Sequence, residues 1–161
     1  MKEYTGGCHC GGVKYKFKSD QSVEIWNCNC SICDMINYQH LFVRHELFEL
    51  IAGEELLLEY KFESGSAKHF FCKRCGIKSF YQPRSHPEMY SINLKCVNDP
   101  PEIKEVIYFD GINFEESIKN ICFLQFCLKY LEPCYCLRHK ISQKFYQRQS
   151  YYFHMPYHFT F

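Results

Sequence analysis

Residues 6–12 read Gly-Gly-Cys-His-Cys-Gly-Gly, so two thiols lie one residue apart between pairs of glycines. Two more groups of closely spaced thiols follow, Cys28-Asn29-Cys30-Ser31-Ile32-Cys33 and Cys72-Lys73-Arg74-Cys75-Gly76. Zinc binds sulfur at about 2.3 Å with tetrahedral geometry, and a tight turn supplies two such ligands from positions two or three apart. The glycines permit left-handed backbone and leave amides free to donate to sulfur. These three clusters therefore predict a small domain organised around bound metal.

The seven clustered thiols are one short of two four-thiolate sites. This number predicts one closed site and one three-thiolate site with an open position, the kind of zinc site that exchanges ligands or performs catalysis. Spacing alone leaves open which clusters combine. One pairing joins Cys8 and Cys10 to Cys72 and Cys75, which leaves the thiols of residues 28–33 as the open site. In the alternative, the second site is also structural and takes its fourth ligand from elsewhere, the candidates being His40, His45, His69 and Cys96.

The cysteine content also bears on the cellular compartment. The chain has 161 residues and 12 cysteines, and its first residues contain no apolar segment typical of a secretory signal. Thiols stay reduced in the cytoplasm and nucleus, so either location is expected, and metal ligation is favoured over disulfides. The longest apolar stretch, residues 121–131, is interrupted by Gln125 and Lys129, so no membrane span is predicted.

Short strands dominate the predicted secondary structure before residue 110. Val13-Lys14-Tyr15-Lys16-Phe17 alternates apolar and polar residues, which predicts a strand with Val13, Tyr15 and Phe17 facing the core. Similar runs rich in β-branched and aromatic residues are Val23–Trp26, Leu41–Val43, Leu56–Phe62, Lys68–Phe71, Ile77–Tyr81 and Met89–Leu94. One short helix is predicted from about Asn113, as its N-cap, to Lys119. The fold class expected is therefore mainly β with a short C-terminal helix.

The composition changes near residue 120. Residues 120–161 contain 12 Phe or Tyr, four Cys and no Gly, and they carry a net charge of +4 against −3 for residues 1–119. We therefore predict a zinc domain over residues 4–119 and an aromatic, basic tail over residues 120–161. Filling both metal sites with thiolates and Zn²⁺ would bring the domain to about −6. An acidic domain repels phosphate backbones, so nucleic-acid binding by the domain itself is not expected.

Three ordered segments resemble one known family, the glutathione-dependent formaldehyde-activating (GFA) domain. The segments are Gly6-Gly7-Cys8-His9-Cys10-Gly11-Gly12, Asn27-Cys28-Asn29-Cys30-Ser31-Ile32-Cys33 and His69-Phe70-Phe71-Cys72-Lys73-Arg74-Cys75-Gly76-Ile77-Lys78-Ser79-Phe80-Tyr81. The resemblance covers about residues 4–119 and is strongest to the centromere protein V-like branch. It implies an Mss4-like fold of short twisted antiparallel sheets with zinc knuckles.

The same resemblance implies two zinc ions per chain. A structural zinc is expected on Cys8, Cys10, Cys72 and Cys75, and a second zinc on Cys28, Cys30 and Cys33. The implied activity is that of a carbon–sulfur lyase acting on the glutathione–formaldehyde adduct or a related thiol adduct. Glutathione or such an adduct is then the expected small-molecule partner.

Two aspects of function stay open at the level of sequence. No residue stands out as a general acid or base, although His69, Lys73 and Arg74 lie close enough to the knuckle to attract the carboxylates of glutathione. The alternative function is a zinc-stabilised protein-interaction module of the centromere protein V type, without catalytic turnover. Ser31-Ile32 and Lys73-Arg74 are closer to that branch than to the bacterial enzymes.

Overall fold

The computed structural model describes residues 1–120, and the prediction of a separate tail falls outside these residues except for Asn120. The described part contains strands β1 to β11 and helix α1, while residues 114–120 are also helical. The bounds are β1 Lys2–Gly7, β2 Lys14–Ser19, β3 Ser22–Cys28, α1 Ser31–Met35, β4 Gln39–Arg44, β5 Phe48–Ala52, β6 Leu57–Tyr60, β7 Lys68–Cys72, β8 Phe80–Gln82, β9 Met89–Asn93, β10 Val97–Asn98 and β11 Glu102–Phe109. The mainly β class predicted from the sequence is confirmed.

The described strands form two sheets. The smaller sheet has the order β10-β1-β2-β5, and the larger has the order β11-β3-β4-β9-β8-β7-β6. Neighbouring strands pair antiparallel, with the exception of β11, which runs parallel to β3. This parallel pair aligns Phe109 with Cys28. The loop after β11 therefore begins beside the second cysteine cluster.

The core lies between the two sheets and includes the predicted inward face of β2. Val13, Tyr15 and Phe17 have exposed fractions of 0%, 0% and 1%, as their alternation predicts. The ring of Tyr15 lies 5.3 Å from that of Phe48 and 5.7 Å from that of Phe80. Since Phe48 belongs to the smaller sheet and Phe80 to the larger, Tyr15 packs the sheets together.

Each predicted strand overlaps an observed one, but the sequence patterns missed β1, β5, β10, β11 and α1. Strand β11 is mostly exposed and rich in charge, so its residues carry no alternating apolar signal. The predicted C-terminal helix is confirmed, since residues 114–120 are helical and the amide of Ser117 donates to the carbonyl of Asn113 at 3.1 Å. Among the residues described, no helix combines the length and hydropathy needed to cross a membrane.

Candidate metal centres

Four thiols from two distant turns meet in the first candidate site. Cys8 and Cys10 follow β1, while Cys72 ends β7 and Cys75 lies in the turn after it. Their Sγ atoms all lie within 4.8 Å of one another, with 3.5 Å between Cys8 and Cys10 and 3.7 Å between Cys10 and Cys72. Tetrahedral zinc with sulfur at about 2.3 Å places ligand atoms about 3.8 Å apart. The cluster can therefore hold a metal ion with little rearrangement.

Backbone hydrogen bonds shape the turns of this four-thiol cluster. The amide of Gly76 donates to the carbonyl of Cys72 at 2.8 Å, and the amide of Cys72 donates to the carbonyl of Ile77 at 3.1 Å. Gly76 has φ 71°, a left-handed conformation that glycine adopts without the cost of a Cβ. The amide of Val13 donates to Cys8 Sγ at 3.2 Å. Both features predicted from the flanking glycines, left-handed turns and amide donors to sulfur, are present.

Three thiols form the second candidate site at the junction of β3 and α1. Cys28 is the last residue of β3, Cys30 is the N-cap of α1, and Cys33 lies within α1. The three Sγ atoms lie within 4.8 Å of one another, and Cys33 is only 3% exposed. Within residues 1–120, no fourth His, Cys, Asp or Glu donor joins this three-thiol cluster. A metal ion held here would keep one coordination position free for another ligand.

Proximity makes the three thiols titrate together. The hydrogen bond with Cys28 lowers the pKa of Cys30 to about 2, and the same kind of contact raises the pKa of Cys28 to about 11. The pKa of Cys33 is also raised, first by its hydrogen bond with Cys28. Ionisation is therefore easier at Cys30 and harder at Cys28 and Cys33. A divalent cation displaces such protons when it binds, because its ligands are thiolates.

The loop after β11 closes over the three-thiol cluster. Asn29 Oδ1 accepts from the amides of Gly111 at 2.7 Å and Ile112 at 3.2 Å, and Asn29 Nδ2 donates to Asp110 Oδ1 at 3.1 Å. A Cβ on Gly111 would overlap Cys28 Sγ and would lie 2.9 Å from Cys30 Cβ. Glycine at this position is thus required for the close approach of the loop to the thiols.

We expect Gly111→Ala to weaken metal binding at the three-thiol cluster by at least about tenfold, because the new methyl group displaces Cys28. The measurement is metal stoichiometry by native mass spectrometry under chelator competition. Gly65→Ala is the control, since its Cβ meets nothing within 4 Å while its φ of 68° costs about 1–2 kcal/mol of stability. Equal metal retention by the two variants would contradict the expectation.

A cavity of about 670 Å³ opens beside the three-thiol cluster. This volume lies within the range typical of small-molecule sites. Trp26, Phe42, Phe62, Phe109 and Phe114 supply apolar wall, and all three cysteines of the cluster are in the lining. The polar and ionisable side chains of the wall include His40, His69, Tyr81, Arg84, Glu63, Glu115 and Glu116.

Two buried histidines face this cavity with unpaired nitrogens. His40 and His69 are each 2% exposed, and the ring of His69 stacks on that of Tyr81 at 4.9 Å. His40 Nδ1 lies 2.9 Å from Ser91 Oγ, while His40 Nε2 and both nitrogens of His69 have no hydrogen-bond partner among residues 1–120. Burial lowers the pKa of His40 to about 3 and that of His69 to about 4. Both rings are therefore neutral at pH 7.

None of the four candidate fourth ligands joins the three-thiol cluster in the described structure. His40 and His69 come nearest to this role, since both line the same cavity. The ring of His45 packs on that of Tyr90 at 4.4 Å, away from the cavity lining. Cys96 lies toward the other cluster, and its pKa is raised to about 11 by burial and by the charges of Cys8 and Cys75.

Of the residues expected to attract carboxylates, His69 alone lines the cavity in the described part of the chain. Lys73 Nζ instead donates to the carbonyl of Glu55 at 2.8 Å, and Arg74 lies beside Gly12 near the four-thiol cluster. The cavity cation is Arg84, a residue that sequence reasoning missed. Its guanidinium lies 3.9 Å from the ring centre of Phe114 and pairs with Glu115.

Comparison with known proteins agrees with this geometry. The model of the family described as glutathione-dependent formaldehyde-activating enzyme matches residues 3–110, which contain all seven clustered cysteines. A crystal structure of a Rhodobacter sphaeroides protein, a structural genomics target, is 29% identical with a TM-score of 0.57. That similarity covers 63% of this chain and 98% of the bacterial one. The chain belongs to the glutathione-dependent formaldehyde-activating enzyme family.

Proposed function

We propose that the protein binds two zinc ions and acts as a carbon–sulfur lyase on the adduct of glutathione, or a related thiol, with formaldehyde. In this proposal the four-thiol cluster forms the closed structural site, and the three-thiol cluster forms the reactive site. The observation that carries the proposal is the position of Cys28, Cys30 and Cys33 in the wall of the 670 Å³ cavity, without a fourth protein donor in the described residues. Zinc held by these three cysteines would supply a borderline-soft Lewis acid with a position for one more thiolate.

The reaction needs one bond broken and one proton moved. Cleavage of the S–CH₂OH bond leaves its electron pair on sulfur, while the hydroxyl loses a proton and its carbon becomes the carbonyl of formaldehyde. Each neutral imidazole has one acceptor nitrogen, so His40 Nε2, in the tautomer that donates from Nδ1 to Ser91, and one ring nitrogen of His69 are acceptors for a hydrogen bond from that hydroxyl. These hydrogen bonds keep the transferred proton inside the cavity, and the reverse reaction uses the same contacts.

Other side chains of the cavity wall bind the rest of the ligand. The Arg84 guanidinium presents donors to a carboxylate, held in place by its contact with Phe114. Trp26 and Phe109 stack at 5.4 Å and form an apolar wall that excludes water from the reacting carbon. The thiolates require a reducing compartment, which is the cytoplasm or the nucleus.

Native mass spectrometry of the full chain with and without glutathione tests the proposal. We expect two zinc ions per chain, one bound glutathione, and a glutathione-dependent rise in melting temperature that corresponds to about 2.7 kcal/mol at a hundredfold excess over Kd. S-methylglutathione is the control, since its blocked sulfur cannot become a thiolate.

Two zinc ions without glutathione binding, together with no lyase turnover, would overturn the enzymatic proposal. The protein would then fit the alternative, a zinc-stabilised protein-interaction module of the centromere protein V type.

A further inference from the structure

A buried lysine lies behind the three-thiol cluster. Lys78 is 3% exposed, and its Nζ has no hydrogen-bond partner among the described residues. The ammonium lies 3.9 Å from the ring centre of Tyr81 and 4.6 Å from that of Tyr38. Cation–π contacts offset part of the free-energy cost of burying an ammonium, but they do not replace its hydrogen bonds to water. The position of this charge therefore requires a further explanation.

The two tyrosines connect Lys78 with the thiols. Tyr38 and Tyr81 pack with Cys33 in a small buried cluster, against which Cys28 and Cys30 are also packed. Burial lowers the pKa of Lys78 to about 8, and negative charge on Cys33 and Cys30 raises it again. The rings of Tyr38 and Tyr81, which contact both Lys78 and the cysteine cluster, thus place the ammonium on the buried side of the three thiols.

A three-thiol site that is filled with a divalent ion carries a net negative charge, which a nearby lysine can offset. Three thiolates and a divalent ion sum to −1, and an added thiolate ligand brings the sum to −2. The four-thiol cluster reaches −2 as well, but Cys10 there is exposed and water can screen the charge. In the three-thiol cluster Cys33 is 3% exposed and Cys28 and Cys30 are half-buried, so none of its cysteines is as open to screening water as Cys10. A nearby fixed cation compensates for this difference.

We propose that Lys78 is the counter-charge of the three-thiol site, and that it allows this site to hold a metal ion and an anionic thiolate ligand together. The inference rests on the proposed function, because it assumes that metal and thiolate bind here. Lys78 is a positioning and specificity-determining residue, since it acts through the thiols and favours anionic over neutral fourth ligands.

The test uses Lys78→Met in the full chain, which keeps an unbranched side chain and removes the charge. We expect zinc affinity at the three-thiol site, measured by chelator competition with native mass detection, to fall at least about tenfold, which is about 1.4 kcal/mol. Glutathione affinity should fall in addition. The form with only the four-thiol site filled should be at least as stable in urea as the wild type, because an unpaired buried ammonium is gone.

Lys73→Met is the matched control, since Lys73 is an exposed lysine beside the other cluster. Lys78→Gln serves as a second neutral variant if Lys78→Met fails to fold. Zinc and glutathione affinities of the Lys78 variants within about twofold of the Lys73→Met values would overturn the inference while leaving the proposed function intact. A wild-type chain that binds no second metal or no glutathione would instead overturn both.

Discussion

Replacing Cys72 by serine is expected to leave the chain without a stable fold. Cys72 is 2% exposed and is the last residue of β7. Its Sγ contacts that of Cys10, which lies 62 positions earlier in the chain, so the cluster joins two distant turns. A structural zinc contributes about 10 kcal/mol or more to folding, while a whole domain is stable by about 5–15 kcal/mol. Loss of one ligand therefore removes most of the free energy of unfolding. Near-ultraviolet circular dichroism, metal content and size-exclusion chromatography provide the measurement.

Cys96→Ser is the control for this experiment. Cys96 is a half-buried thiol outside both clusters, so serine there should cost only about 1–2 kcal/mol and leave both metals bound. A soluble Cys72→Ser protein that unfolds cooperatively with the stability of the wild type would refute the structural role of the four-thiol cluster.

Replacing Cys30 by serine should have a different outcome, loss of function in a folded protein. Cys30 is the N-cap of α1, a position that serine favours, so the local backbone is retained. The three-thiol cluster, however, falls to two sulfurs. We expect the second zinc to be lost, the glutathione-induced rise in melting temperature to disappear, and the lyase rate to fall by at least about a hundredfold.

Ser31→Ala is the control for Cys30→Ser, because Ser31 also lines the cavity but supplies no metal ligand. It should keep two zinc ions and the glutathione response. If Cys30→Ser kept both metals and full turnover, the three-thiol cluster would not be the reactive site. Comparing the two cysteine variants also separates the roles of the clusters, since one change unfolds the chain and the other does not.

Local sequence was sufficient for those parts of the fold that depend on neighbouring residues. The alternation of Val13, Tyr15 and Phe17 predicted a buried strand face because successive side chains of a strand point to opposite sides. Close spacing predicted which cysteines share a turn. The arithmetic of seven thiols predicted one complete and one incomplete site, in agreement with the four and three sulfurs that cluster.

Contacts between distant segments needed the tertiary structure. Which thiol pairs combine depends on β1 and β7 ending at the same place, although they belong to different sheets. The cavity likewise collects His40 from β4, His69 from β7 and Arg84 from the segment after β8. Lys78 lies in the predicted strand Ile77–Tyr81, where nothing in the local sequence marks it as buried, and its neighbours in space could not be predicted from spacing. Sequence thus determined the family, the cysteine clusters and the buried strand face, whereas the combination of those clusters, the cavity with its two histidines and the surroundings of Lys78 depend on non-local packing.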